Sequence, residues 1–284
     1  MSKLFKNLLW AICFAALCSA VPAGADTRPI RFAMTPAFLH DQHALLAQWR
    51  VYLEARLKQP VEFVQRDRYR DTMDLLQQQK VEFAWICDYP FIMLKKDVRL
   101  MSVAINGSSP TYRSYLIVPL RDQKTRSVND LKGAVFAYAD PYSNTGYLVP
   151  RYEIKRQGGD PATYFKRTFF TWSHRKVIDA VAAGLAQGAA VDSFVWDSLA
   201  KVRPDITGKT RIAWQSEDYG FPPIVAQNQV SDADFKRMQA VLLNMTTEPE
   251  GRALLARLNL NGFIAGTPKL YNSVSEMMTA FGEP

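Results

Sequence analysis

Cysteine and histidine are both scarce in this sequence, at three of each in 284 residues. Cys13 and Cys18 fall within the first 25 positions, so Cys87 is the only thiol beyond them and an intrachain disulfide there is excluded. Three histidines supply few general bases, and the G-x-S-x-G nucleophile elbow is missing. Thr207-Gly208-Lys209-Thr210 looks like the tail of a P-loop, yet Arg203 occupies the position of its first glycine. His40 and His43 flank Asp41 without further ligands nearby, and read as a solvated helix start rather than a metal site. Asp232 and Asp234 likewise open a surface helix. Nothing assembles a nucleophile with its base, so we expect neither an enzyme nor a cofactor. Charge of neither sign runs in blocks, which excludes the basic stripe of a nucleic-acid partner. After the first 25 residues no apolar run approaches the length of a membrane span.

What is present begins with a leader. Lys3 and Lys6 precede an apolar stretch at 8–18, and Ala23-Gly24-Ala25 follows. That order is a secretory signal peptide, with cleavage expected after Ala25 and a periplasmic destination. Losing Lys3 and Lys6 takes 35 basic residues to 33 against 27 acidic ones, a net +6. Such a mild positive field favours small anions.

The rest alternates strands and helices. Ile30-Arg31-Phe32-Ala33-Met34 reads as a strand. Leu45, Trp49, Leu53 and Leu57 mark a helix, and Val61-Glu62-Phe63-Val64-Gln65 is a second strand. A helix over 71–79 and a buried strand Phe83-Ala84-Trp85-Ile86 complete a first βαβαβ unit. The grammar repeats from Val135-Phe136-Ala137-Tyr138 through a helix stopped at Gly158-Gly159, a strand at 168–172, a helix at 177–186 and the strand Ala189-Ala190-Val191. One unit ends at Asp88 and the other at Asp192. Extended stretches at 112–118 and 212–225 connect the units twice. We therefore expect two Rossmann-like α/β lobes on a two-strand hinge: lobe 1 from 26–118 and 219–284, lobe 2 from 119–218. Ligands of open α/β sheets bind beyond the carboxyl ends of the strands, here facing one crevice.

Within that crevice Ala139-Asp140-Pro141-Tyr142-Ser143-Asn144-Thr145-Gly146-Tyr147 follows a strand and opens a helix. Ser143 suits an N-cap, with Asn144, Thr145 and Gly146 in the first turn, where free amides favour an anion. A capped helix without a ligand fits the same residues. A helix dipole supplies roughly 0.3–2 kcal/mol, whereas micromolar binding needs about 8, so several further hydrogen bonds are required. Tyr89, Tyr112, Ser114 and His174 flank strands on the cleft side. His174 also fits a packing role. Asp192 fits either an acceptor for a protonated ligand or a helix cap. Cys87 fits a small buried residue or a thiolate for trivalent arsenic.

In order and spacing, several short segments resemble the phosphate, phosphite and phosphonate-binding subunits of ABC transporters. They are Ser127-Val128-Asn129-Asp130-Leu131-Lys132-Gly133, Ala139-Asp140-Pro141 with Ser143 and Gly146, Ser173-His174 and Asp192. The likeness runs from Arg31 to Phe263 and takes in Pro60-Val61-Glu62, Val81-Glu82-Phe83-Ala84-Trp85, Tyr112-Arg113-Ser114-Tyr115 and Gly251-Arg252. It implies a type II periplasmic binding fold with a phosphorus oxyanion held between the lobes by Ser143, Asn144, Thr145, Tyr89, Tyr112 and His174. It also implies a monomer that delivers its ligand to an ABC permease; the alternative is a sensor docking on a histidine-kinase periplasmic domain, with arsenite at Cys87 as a variant. Two positions depart from the family pattern. Asn144 replaces the usual hydroxyl residue, as a side chain that can still donate. Pro222-Pro223 stands where binders of aminoalkylphosphonates carry an acid, with Asp218 nearby, so phosphate, phosphite or a plain phosphonate is expected as readily as an amine-bearing ligand.

Overall fold

The computed structural model describes residues 28–36 and 43–283. The signal-peptide reading, with Cys13 and Cys18, and the His40 half of the histidine pair lie outside the described residues. No helix among them is long and apolar enough to cross a membrane.

The first unit runs β1 (Ile30–Met34), α1 (His43–Leu57), β2 (Val61–Gln65), α2 (Tyr69–Gln77), β3 (Phe83–Trp85) and α3 (Asp88–Met93). β1 pairs in parallel with β2 on one side and β3 on the other. Alternating apolar residues of β1 and β2 face α1, where Trp49 is fully buried. Its indole meets Phe32 edge-on at 5.9 Å and Trp85 at 6.0 Å. Burying an aromatic of this size stabilises the lobe by roughly 1.5–3 kcal/mol.

Next come β4 (Val98–Ile105), β5 (Thr111–Tyr112) and β6 (Ser114–Pro119). The second unit holds β7 (Val135–Tyr138), α4 (Val149–Arg156), β8 (Arg167–Phe170), α5 (His174–Ala182), β9 (Gly188–Asp192) and α6 (Ser193–Val202). The chain then passes through α7 (Pro204–Thr207), β10 (Thr210–Gln215), β11 (Tyr219–Gly220) and β12 (Pro223–Gln227). It ends with α8 (Asp232–Leu243), α9 (Pro249–Arg257), β13 (Gly262–Ala265) and α10 (Asn272–Thr279).

Two large sheets result, ordered β13-β4-β12-β3-β1-β2 and β10-β6-β9-β7-β8. Each has a parallel core of three strands, and each is extended by antiparallel strands. This is the mixed α/β, two-lobed arrangement expected. Its crossing is shorter than the 112–118 stretch, however. β6 pairs with β9 and β10 inside the second sheet, so Ser114 to Pro119 belongs to that lobe. The ribbon between the lobes is β5 against β11, with Tyr112 opposite Tyr219 and Thr111 opposite Gly220. A two-residue ribbon makes few lateral bonds, which is what a hinge needs.

Candidate functional site

The carboxyl ends of β3, β7 and β9 bring three loops to one crevice. After β7, Ser143 takes extended backbone angles and its Oγ accepts from the Gly146 N–H at 3.0 Å. Asn144–Leu148 then form a π-helical turn that runs into α4. Only glycine fits at 146, since a Cβ there would stand 2.6 Å from the Ala139 Cβ and 2.8 Å from the His174 Cε1.

His174 opens α5 and is buried behind that turn. The Asp192 backbone N–H donates to Nδ1 at 3.0 Å, so the ring proton belongs on Nε2, 3.0 Å from the Ser143 Oγ. Burial pushes the His174 pKa down to about 3, leaving the ring neutral near pH 7. Ser143 thus accepts from both the Gly146 amide and the imidazole. Both lone pairs are engaged, and its own proton is left to donate. Tyr69, at the start of α2, turns its buried hydroxyl toward Ser143 without reaching hydrogen-bond geometry.

From the other lobe, Cys87-Asp88 follows β3 and Tyr112 comes from β5. The fully buried Asp88 carboxylate accepts at Oδ1 from the Cys87 thiol (3.0 Å), the Tyr89 amide (3.1 Å) and the Tyr112 hydroxyl (2.8 Å). Its Oδ2 accepts from Asn144 Nδ2 at 2.7 Å, a bond that joins the lobes. Burial raises Asp88 to about 6, against these hydrogen bonds, which pull it down. The Asn144 Nδ2 also lies 3.4 Å from the Tyr112 oxygen, so the donor capacity expected of Asn144 is directed into the protein. The Asn144 Oδ1 and the Thr145 Oγ1 are buried with no partner.

Asp192 holds the matching place at the end of β9. It caps α6 by accepting from the Val195 amide at 3.1 Å, and burial raises it to about 8. No lysine or arginine is buried among the described residues, and none of their His, Cys, Asp and Glu side chains group to hold a metal ion.

The crevice therefore brings together Tyr112, Ser143, Asn144, Thr145, Gly146, His174 and Asp192. Ser114 is adjacent, but its hydroxyl donates to the Thr145 carbonyl at 2.7 Å and so braces the turn. The Tyr89 side chain does not join the cluster: its hydroxyl donates to Glu283 and its ring rests on Tyr142 at 6.3 Å. Both polar atoms of His174 are likewise spent within the chain. Burial drives the Cys87 pKa up, so the thiolate needed to grip trivalent arsenic is the disfavoured form. Asp218 pairs with Arg113 at 2.7 Å on the surface, away from the cluster. Tyr69 and Asp88 were not among the expected site residues. The matched endings of the two units point to Asp88, whereas no local motif marks Tyr69.

A family model described as the periplasmic substrate-binding protein of the phosphonate ABC transporter matches residues 32–271. The phosphonates-binding periplasmic protein of Escherichia coli (strain K12) is 26% identical over 277 residues, spanning 94% of this chain and 81% of that protein. Among solved structures, a binding protein component of an ABC phosphonate transporter from Pseudomonas aeruginosa superposes with a TM-score of 0.82 at 21% identity, covering 89% of this chain and 86% of its own. PhnD1 from Prochlorococcus marinus (MIT 9301), solved in complex with methylphosphonate, gives 0.81 at 18% identity, covering 90% and 98%.

Proposed function

Since this chain belongs to the family of periplasmic phosphonate-binding subunits of ABC transporters, we propose that it captures a small phosphorus oxyanion at the turn 143–146 and delivers it to the transporter's permease. The family is one of substrate-binding transport proteins rather than enzymes, and its place is the periplasm. Phosphonate, phosphite and phosphate are the candidate ligands. The observation that carries the reading is the buried turn at the lobe junction. Ser143 is left as a donor by its two acceptances, and the Thr145 hydroxyl is buried without a partner. A bound anion would satisfy both from the lobe-2 side, with Tyr69 and Tyr112 lining the lobe-1 side.

The energetics favour such a site. Each hydrogen bond to a charged acceptor contributes about 1.5–3 kcal/mol, so four or five reach the roughly 8 kcal/mol of a micromolar complex. Closure of the lobes follows because only the closed form brings both sides of the site around the anion.

Titration calorimetry and thermal melts with methylphosphonate, phosphite and phosphate test the reading. At least one is expected to raise Tm in proportion to the logarithm of its concentration. Absence of any heat and any shift with all three would reject it.

A further inference from the structure

Building on that reading, we propose that Asn144 is a specificity-determining residue that admits only oxyanions still carrying a proton, such as a monoprotonated phosphonate or hydrogen phosphate, and rejects sulfonates and sulfate. The orientation of the amide is fixed by its neighbours. The Asp88 Oδ2 stands 2.7 Å from the Asn144 amide, and an ionised carboxylate only accepts, so the neighbouring atom must be the nitrogen. The second hydrogen on that nitrogen is aimed at the Tyr112 oxygen at 3.4 Å. Tyr112 in turn donates to the Asp88 Oδ1 at 2.8 Å, which leaves its lone pair as the acceptor. The three groups form a closed ring that spends both protons of the Asn144 side chain.

What the ring leaves over is Oδ1, buried and without a partner. It is an acceptor only. A serine or threonine at this position would rotate its hydroxyl to donate or accept as the guest demanded, but a locked amide has no such freedom. A guest oxygen packed against Oδ1 must therefore bring its own hydrogen. A P–O–H group does so. The oxygens of a sulfonate carry none near neutral pH, so each would oppose lone pair to lone pair at a site that water cannot relieve.

The lock depends on the state of the groups that face Asn144. These are Asp88, Cys87, Tyr112 and Tyr69 from the other lobe, and from the lobe of the turn itself Asp140, Asp192, which burial raises to about 8, and the neutral His174. Cys87, Tyr69 and Tyr112 are all pushed above their ordinary values by burial and stay protonated. Asp88, raised to about 6, is mainly ionised at pH 7.

The test compares methylphosphonate with methanesulfonate, which matches it in shape, by calorimetry at pH 7. Wild type is expected to bind methylphosphonate at least about tenfold more tightly. In Asn144→Ser the ratio should collapse to within about threefold, chiefly through a gain for the sulfonate. Asp88→Asn provides an independent check, because an amide at 88 frees Asn144 to turn over and should narrow the ratio in the same direction. Equal affinity of wild type for the two ligands overturns this inference while leaving the proposed function standing. An undiminished ratio in both variants also overturns it, and assigns the selection to another group of the crevice. Failure of wild type to bind any phosphorus oxyanion removes both.

Discussion

The Oγ of Ser143 and the Nε2 of His174 stand 3.0 Å apart, and through that bond a ring with no free polar atom reaches the surface of the crevice. The Asp192 amide fixes the tautomer from behind, so the imidazole controls which way the serine proton points. Replacing His174 by alanine should cost anion binding about 1–3 kcal/mol, because both ring nitrogens are engaged in holding the turn. Calorimetry checks the loss. Affinity equal to wild type would mean that Ser143 holds its donor orientation unaided.

His174 also leaves a signature in pH. Its pKa is depressed from 6.5 to about 3, so the unfolded chain binds a proton that the folded chain refuses. The contribution to stability is whole above about 6.5 and is lost as pH falls toward 3. Thermal melts across this range should show His174→Gln losing less stability on acidification than wild type. Parallel curves would contradict a buried neutral ring.

Asp192 acts in the opposite sense. Its pKa is raised from 3.8 to about 8, so the folded protein keeps a proton that the unfolded chain releases. Stability from this group is fully present below about 3.8 and declines as pH rises through 8. Asparagine is an equally good cap and does not titrate. Asp192→Asn should therefore flatten the fall in Tm between pH 6.5 and 8, where His174 no longer contributes a slope. An unchanged fall would place the titration elsewhere.

Gly146 admits no side chain. A methyl group there would overlap Ala139 and His174, and overpacking of this kind costs typically 1–3 kcal/mol. Gly146→Ala should lower Tm and also weaken anion binding, since the displaced groups are Ser143 and its partner. Chemical denaturation and calorimetry together separate the two losses. Full affinity in a merely destabilised variant would show that the turn tolerates displacement.

The C-terminal segment bridges the lobes beside the crevice. Glu283 accepts from Tyr89, while the Phe281 ring lies 4.4 Å from the Arg151 guanidinium and 4.9 Å from the Lys155 ammonium, both on α4. Cation–π contacts at exposed sites contribute about 0.5–1 kcal/mol. Phe281→Ala should enlarge the radius of gyration measured by X-ray scattering and weaken ligand binding several-fold. Scattering curves identical to wild type would rule out a strap.

Much of this architecture is legible in the sequence because both units follow strong local rules. Apolar positions four apart place α1, and Ser143 with Gly146 marks the turn after β7. β4 escapes such a reading. Val98–Ile105 follows a helix with no turn signal and pairs only with strands far along the chain, Pro223–Gln227 and Gly262–Ala265. Its place is fixed by long-range antiparallel pairing, which leaves no local trace. The four residues of β13 are too few to show a period. The site divides in the same way. Ser143, Asn144, Thr145 and Asp192 are recognisable from their position at element ends. Tyr89 has the same credentials, yet it is drawn off by Glu283, a partner 194 residues away. Tyr69 enters because α2 begins at that residue, and nothing distinguishes it locally from the other eleven tyrosines.

Among the described residues the crevice contains no buried lysine or arginine, and under the proposed function this governs how cargo is unloaded. A full positive charge would reach across a widening gap and retain an anion well after the jaws had parted. Local dipoles lose their pull within an ångström or two, so retention ends as soon as rotation about the β5–β11 ribbon begins. On that function, handover would be triggered mechanically by the docking partner, with little influence from background electrolyte.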